Sequence, residues 1–311
     1  MTLQIITIHP RPKWATMRAV VPMIVLRISR MVWLTVSLML SLMASLLLRA
    51  APAAAQTQTH IQALIQPHNQ PQIQPWPDNP RLSGNAFLPP GLRKLQDESA
   101  TSPIALWLDR GRVRWDDSSA GPSCRTYHGT VESLKNSAPT FPRLTGDGAR
   151  LVNLEDQIIA CSARTGQSAL KPEEDDTLAL SAALHEAAKG IAIDVRATPG
   201  KAAQWQALLD QGAQRFATRL GRLNLACTHC HDQNVGRQMR TDVVSPGHPT
   251  GFPVYRMGWQ KLGSVDRRLR ACYSGVQAVL PPPGAAELRA LELYLKVRAN
   301  GMPIDGPSIR R

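Results

Sequence analysis

Cys227-Thr228-His229-Cys230-His231 places two thiols three residues apart, with an imidazole directly after the second. On one helical turn both sulfurs face the same porphyrin edge and can add to its vinyl groups, while the next imidazole is carried under the iron. The chemistry expected is therefore one haem c, attached through Cys227 and Cys230, with His231 as proximal iron ligand. Two other chemistries use parts of the same set. One is a CxxC redox pair, and the other is a zinc shell of Cys227, Cys230, His231 and the later Cys272.

Cys272 stands in Arg267-Arg268-Leu269-Arg270-Ala271-Cys272. An isolated cysteine is most often a small buried hydrophobe, and a run of arginines is most often a solvated helix face. Here three arginines within five residues favour thiolate over thiol, and the thiolate is both nucleophile and metal ligand. If the segment is helical, Arg268 lies one turn before Cys272 on the same face, which sets a guanidinium fork beside the sulfur. Such a pair suits a small oxyanion held by charge-assisted hydrogen bonds next to a reactive sulfur. The solvated reading is kept for Arg267 or Arg270.

The five cysteines are 124, 161, 227, 230 and 272. Cys124 begins Cys124-Arg125-Thr126-Tyr127-His128, which has the haem-binding form except that Tyr127 stands where a second thiol is needed. One thiol cannot make the double attachment, so this reads as a degenerate site without haem, and His128 as an ordinary structural or surface histidine. Cys124 and Cys161 are then expected to form a disulfide, which the chain-entropy model rates at about 4 kcal/mol for that separation.

The elements that must position these groups come after an export signal. Residues 1–30 are basic, Met31 to Leu48 is an almost uncharged apolar run, and Ala53-Ala54-Ala55 follows. The pattern is a secretory leader over 1–55, cleaved near Ala55, with Met17, Met23 or Met31 as alternative starts. A retained anchor is the other reading of the apolar run. Export to the periplasm suits both haem c attachment and a disulfide. Residues 1–55 hold Arg11, Lys13, Arg18, Arg27, Arg30 and Arg49 and no acid, so cleavage lowers the formal charge from +13 to +7. The remaining positives are scattered without aromatic interleaving. That argues against nucleic acid and for an anionic substrate or acidic partner. After cleavage no membrane span is expected.

Residues 56–100, rich in Gln and Pro, read as an extended arm. Folded sequence resumes near Ser102 and breaks at Thr198-Pro199-Gly200, giving a haem-less domain over 101–198 and a haem c domain with the active site over 199–311. Helical periodicity is expected at Asp176 to Lys189, Ala202 to Cys227 and Pro283 to Asn300, with few and short strands. The fold class is all-α.

Asn224-Leu225-Ala226-Cys227-Thr228-His229-Cys230-His231-Asp232, Gly247-His248-Pro249, Phe252-Pro253-Val254-Tyr255-Arg256, Trp259, Arg267-Arg268-Leu269-Arg270-Ala271-Cys272, Leu291-Glu292-Leu293-Tyr294-Leu295 and Gly301-Met302-Pro303 together resemble the SoxA family of sulfur-oxidising bacteria. The resemblance covers most of the chain after residue 55 and is densest from about residue 199 onward. It implies two cytochrome-c-like domains, the first degenerate and without haem. It also implies an S-thiosulfotransferase that joins thiosulfate oxidatively to a cysteine of a SoxYZ-like carrier. Electrons then leave through haem c to a SoxX-like cytochrome partner. In that family the cysteine at the position of Cys272 is both distal iron ligand and active-site sulfur, and the arginine at the position of Arg268 assists it. Two rival functions are an electron carrier with Met239, Met257 or Met302 as distal ligand, and a thiosulfate dehydrogenase that forms tetrathionate.

The exported protein is expected to weigh its polypeptide plus one haem, with Cys124 and Cys161 linked in a non-reducing peptide map. A haem peptide containing Cys124 would contradict this.

Overall fold

The computed structural model describes Met39 and residues 81–98, 102–165 and 169–311. The expected leader, its apolar run and the first part of the arm lie outside the described residues. Nine α-helices run through this part of the chain: α1 (Pro90–Asp97), α2 (Ile104–Asp116), α3 (Cys124–His128), α4 (Leu154–Ser162), α5 (Asp175–Ala187), α6 (Ala202–Ala217), α7 (Cys227–His231), α8 (Val265–Gly275) and α9 (Ala286–Arg298). Strands are short: a β1–β2 pair (Arg143–Leu144, Leu151–Val152), a β3–β4 pair (Gln238–Met239, Asp242–Val243), and one sheet ordered β6-β5-β7. In that sheet β5 (Val254–Arg256) is antiparallel to β6 (Lys261–Gly263) and parallel to β7 (Ser308–Arg310). Among the described residues no helix is long and apolar enough to cross a membrane.

Local chemistry sets the helix starts. Asn153 accepts from the Asp156 amide at 2.9 Å while the Asp156 carboxylate accepts from the Asn153 amide at 3.1 Å, a reciprocal cap on α4. Ser264 caps α8 by accepting from the Arg267 amide at 3.2 Å. The helix expected over 202–227 stops at Ala217. Thr218 is extended, and Gly221 (φ 66°) and Asn224 (φ 51°) take left-handed conformations that a helix cannot continue through. The haem-type pentapeptide therefore begins a separate helix, α7.

Two helix pairs cross closely, and each crossing depends on a glycine. A Cβ on Gly111 of α2 would lie 2.2 Å from the Ala179 carbonyl oxygen of α5, and one on Gly212 of α6 would lie 2.1 Å from the Ala290 carbonyl oxygen of α9. In each half of the chain the glycine helix precedes a five-residue helix, α3 or α7, and the crossing partner follows it. Trp115, Phe141, Ile158, Leu180 and Leu184 form the core of the first half. Phe216, Val265, Leu269, Tyr273, Leu288 and Leu291 form that of the second. Helix α9 serves both, because Leu293 packs into the first core and Leu288, Leu291 and Leu295 into the second.

The extended arm expected to residue 100 is corrected over its described part. A 3₁₀ turn (Gly84–Phe87) and α1, opened by Pro90, replace it. The segment is ordered because its side chains satisfy the other terminus: Gln96 accepts from the Ile309 amide at 3.2 Å, and Asn85 accepts from Arg310 at 2.7 Å. The exposed edge of β7 is covered in this way.

Gly212→Ala is expected to cost roughly 1–3 kcal/mol through overpacking at the α6–α9 crossing, read as a lower melting temperature. Gly91→Ala, where nothing lies within 4 Å of the added carbon, should be neutral or slightly stabilising. Equal effects would show that the crossing is not close-packed.

Candidate haem and sulfur site

Helix α7 begins at Ala226, whose amide donates to His229 Nδ1 at 3.0 Å, so His229 serves as a cap. His231 Nδ1 is spent on the Ser245 carbonyl at 2.7 Å, which fixes the ring and leaves Nε2 with its lone pair for a metal. The backbone passes the same ring at Gly247, where a Cβ would stand 3.0 Å from Nδ1 and 3.1 Å from Cγ. At φ 77° the position also favours glycine conformationally.

Arg298, at the end of α9, locks the other side of α7. Its Nη2 donates to Asp232 at 2.9 Å and to the Pro246 carbonyl at 3.4 Å, and its guanidinium lies 4.3 Å from the centre of the Phe216 ring. The loop before α7 is tied to the end of α8: the amides of Arg222 and Leu223 donate at 3.3 Å to the carbonyls of Gln277 and Val276. Helix α8 carries Cys272, so this fastening sets its sulfur against the pentapeptide.

The structure brings Cys227, Cys230, His231, Arg268 and Cys272 together, and their surroundings divide the three thiols. Burial and then the charge of Cys272 push Cys227 up to about 12, and the same two causes raise Cys230. At Cys272 burial also opposes ionisation. There the charge of Arg268, the neighbouring His231 ring and the charge of Arg256 outweigh it and bring the thiol down to about 7. Arg268 is partly buried, and its guanidinium makes no ion pair or hydrogen bond with the described residues. Arg270, by contrast, donates to the Pro281 carbonyl, and Arg267 stacks 4.4 Å from the centre of the Trp259 ring.

Cys124 and Cys161 lie apart from this site, in the first core, with sulfurs 3.4 Å apart. Their shared hydrogen bond lowers Cys161, with His128 adding to the effect, and raises Cys124. Met302 is buried in the same core, while Met239 and Met257 are exposed. Among the described residues no group of three or more His, Cys, Asp or Glu is arranged to hold a metal ion, as the zinc shell would require. Sequence reasoning missed Arg298 and Gly247 as site residues and gave Arg256 no role. Gly247-His248-Pro249 and Phe252-Pro253-Val254-Tyr255-Arg256 were visible motifs, but no spacing rule ties them to Cys272.

The side chains fit a haem c. Two largely un-ionised thiols are available for thioether bonds, an imidazole is held by its Nδ1, and an ionisable sulfur faces that imidazole. Fold and site together define a cytochrome c domain with a cysteine of lowered pKa beside its CxxCH helix. Residues 110–193 match the family model SoxA/TsdA, cytochrome c domain. The chain belongs to the SoxA family of L-cysteine S-thiosulfotransferase subunits, being 30% identical to subunit SoxA of Pseudaminobacter salicylatoxidans over 234 residues, 74% of this chain and 81% of that relative. It is 28% identical to SoxA of Paracoccus pantotrophus (73% and 78% covered) and 32% identical to SoxA of Chlorobaculum tepidum (67% and 72% covered). The crystal structure of SoxXA from P. pantotrophus superposes with a TM-score of 0.68 at 28% identity, covering 74% of this chain and 86% of that one.

Gly247→Val should displace the His231 ring while leaving attachment through Cys227 and Cys230 intact. The expected readout is a holoprotein of normal mass whose absorption spectrum shifts towards a weaker-field iron. An unchanged spectrum would mean that the loop yields and the glycine is dispensable.

Proposed function

We propose that this chain joins thiosulfate to a cysteine of a SoxYZ-like carrier, with Cys272 as the sulfur that receives thiosulfate and Arg268 as the group that holds it. The observation that carries this reading is the pairing one turn apart on α8: a thiol brought down to about 7 beside a guanidinium with unspent donors. The Cys272 thiolate and the sulfane sulfur of thiosulfate form an S–S bond as two electrons are withdrawn. The carrier thiolate then attacks that sulfane sulfur, displacing Cys272 as thiolate and leaving carrier–S–S–SO₃⁻. Overall one carrier thiol and one thiosulfate give the conjugate, one proton and two electrons. Arg268 neutralises the oxyanion during its approach.

A single haem c would be held by Cys227, Cys230, His231 and Cys272 and would supply the electron exit. A SoxX-like cytochrome is the proposed acceptor, and the SoxXA title of the similar crystal structure supports it. Residues 101–198 are read as a cytochrome-c-like domain that lacks haem, and residues 199–311 as the haem domain. The repeated arrangement of glycine helix, five-residue helix and crossing partner supports this, as does the match of residues 110–193. The 3.4 Å approach of two buried sulfurs supports a Cys124–Cys161 disulfide, which needs only small side-chain rotations. The reading includes export to the periplasm with leader cleavage near Ala55.

Cys272→Met keeps a sulfur that can bind iron but removes the nucleophile, so haem should be retained and carrier conjugation abolished. Arg268→Lys loses the fork and should lower kcat/KM roughly ten- to hundredfold, from the 1.5–3 kcal/mol of a charge-assisted hydrogen bond. The matched control Arg112→Lys, exposed on α2, should change little. Conjugation by the Cys272→Met protein would overturn the assignment. Thiosulfate oxidation without a carrier would favour a tetrathionate-forming dehydrogenase.

A further inference from the structure

Arg256, the last residue of β5, sits beside the α8 site without belonging to α8. The turn that follows folds back on it, with the amides of Trp259 and Gln260 donating to the Arg256 carbonyl at 2.9 and 2.8 Å. This brings the Trp259 ring to 5.2 Å from the Arg256 guanidinium, while Arg267 of α8 lies 4.4 Å from the centre of the same ring. The ring cannot retreat, since a Cβ at Gly263 would lie 2.4 Å from it. Trp259 therefore couples Arg256 to the first turn of α8 as a rigid spacer.

The charge around Arg256 is incompletely balanced. Asp242 approaches Nη2 at 3.7 Å, too far for a hydrogen bond, and among the described residues the guanidinium donates to no acceptor. Its side chain is 18% exposed, so these donors reach solvent only on the side left open. Both Arg268 and Cys272 lie within its electrostatic reach. Neighbouring Arg310 differs, because its fork is spent on Asn85 and on the Ile309 carbonyl. Of the arginines around Cys272, Arg268 and Arg256 are the two whose charge acts on its sulfur, and neither guanidinium donates a hydrogen bond to a described residue. Two like charges within electrostatic reach of each other, with one carboxylate 3.7 Å from Arg256, suit a dianion with several oxygens.

We propose that Arg256 is a specificity-determining residue of this site, binding the sulfonate end of a doubly charged sulfur oxyanion whose sulfane end lies at Cys272 beside Arg268. The inference rests on the thiosulfate reading above and deepens it. Arg256 would hold the anion equally in the ground and transition states, so its loss should raise KM more than it lowers kcat. Arg268, nearer the reacting sulfur, should affect both.

The test is thiosulfate binding to the intact holoprotein by isothermal titration without carrier, so that it does not depend on transfer taking place. Arg256→Gln should weaken binding roughly ten- to fiftyfold, Arg112→Gln, exposed on α2, should leave it unchanged, and in the full reaction the Arg256→Gln change should fall mainly on KM. Unchanged affinity in Arg256→Gln, or a loss confined to kcat, would overturn the proposal. If Arg256→Gln does not fold, Arg256→Lys keeps the charge over Trp259: weakening of threefold or more supports a fork contact, and wild-type affinity overturns it. Failure of the transferase reading appears separately, as absence of carrier conjugation by the unaltered protein.

Discussion

The buried guanidinium of Arg289 is the constraint on which the arrangement of helices depends. From the first turn of α9 it donates two hydrogen bonds to Asp156 of α4, at 2.7 and 2.9 Å, one to Asp266 of α8 at 3.1 Å and one to Glu292 at 3.3 Å. Asn153, the cap of α4, donates to Glu292 at 3.1 Å and closes the network. The N-termini of α4 and α8 thus converge on one cation through carboxylates in their first turns, and Glu292 of α9 joins them from its second turn. Their dipoles stabilise the negative charge that a single arginine leaves over. Such a network adds little over an apolar core, but removing one member strands buried charge at about 3–5 kcal/mol.

That junction fixes the direction of α8. Asp266 is locked to Arg289 and to the Gly284 amide at 3.1 Å, so the rotation of α8 about its axis is settled at its N-terminal end. Leu269 and Tyr273 then face the core, and Arg268 and Cys272 are left facing the haem-type pentapeptide. Helix α9 acts at both ends: Arg289 orients α8, and nine residues later Arg298 holds Asp232, next to His231. The two axial candidates are set from one helix, although forty-one positions separate them in the chain.

Electrostatics then separates the sulfurs by task. Cys227 and Cys230 lie where burial opposes charge, which keeps them as thiols for covalent attachment, while Cys272 receives enough positive field to ionise despite burial. On the proposed reading, an oxyanion drawn into that field would meet the one sulfur of the three with a lowered pKa.

The pentapeptide, its proximal histidine and the arginine one turn before Cys272 were legible in the sequence, because each depends on spacing within a single helical turn. So were helices α5, α6 and α9, from their apolar periodicity, although α6 ends early where left-handed Gly221 and Asn224 close a turn that periodicity does not register. The ordered segment after residue 81 was hidden by the Gln- and Pro-rich stretch that precedes it. Its order comes from hydrogen bonds to residues more than two hundred positions away, such as Gln96 to Ile309. Arg256 escaped for the same reason: its nearness to Cys272 arises from a sheet register and a stacked Trp259, which join segments that share no local pattern. Sequence alone determined the chemistry available to each short motif, since covalent spacing and helix geometry are local. Only the tertiary structure decided which motifs meet, because that choice rests on close helix crossings at Gly111 and Gly212 and on the buried charge around Arg289.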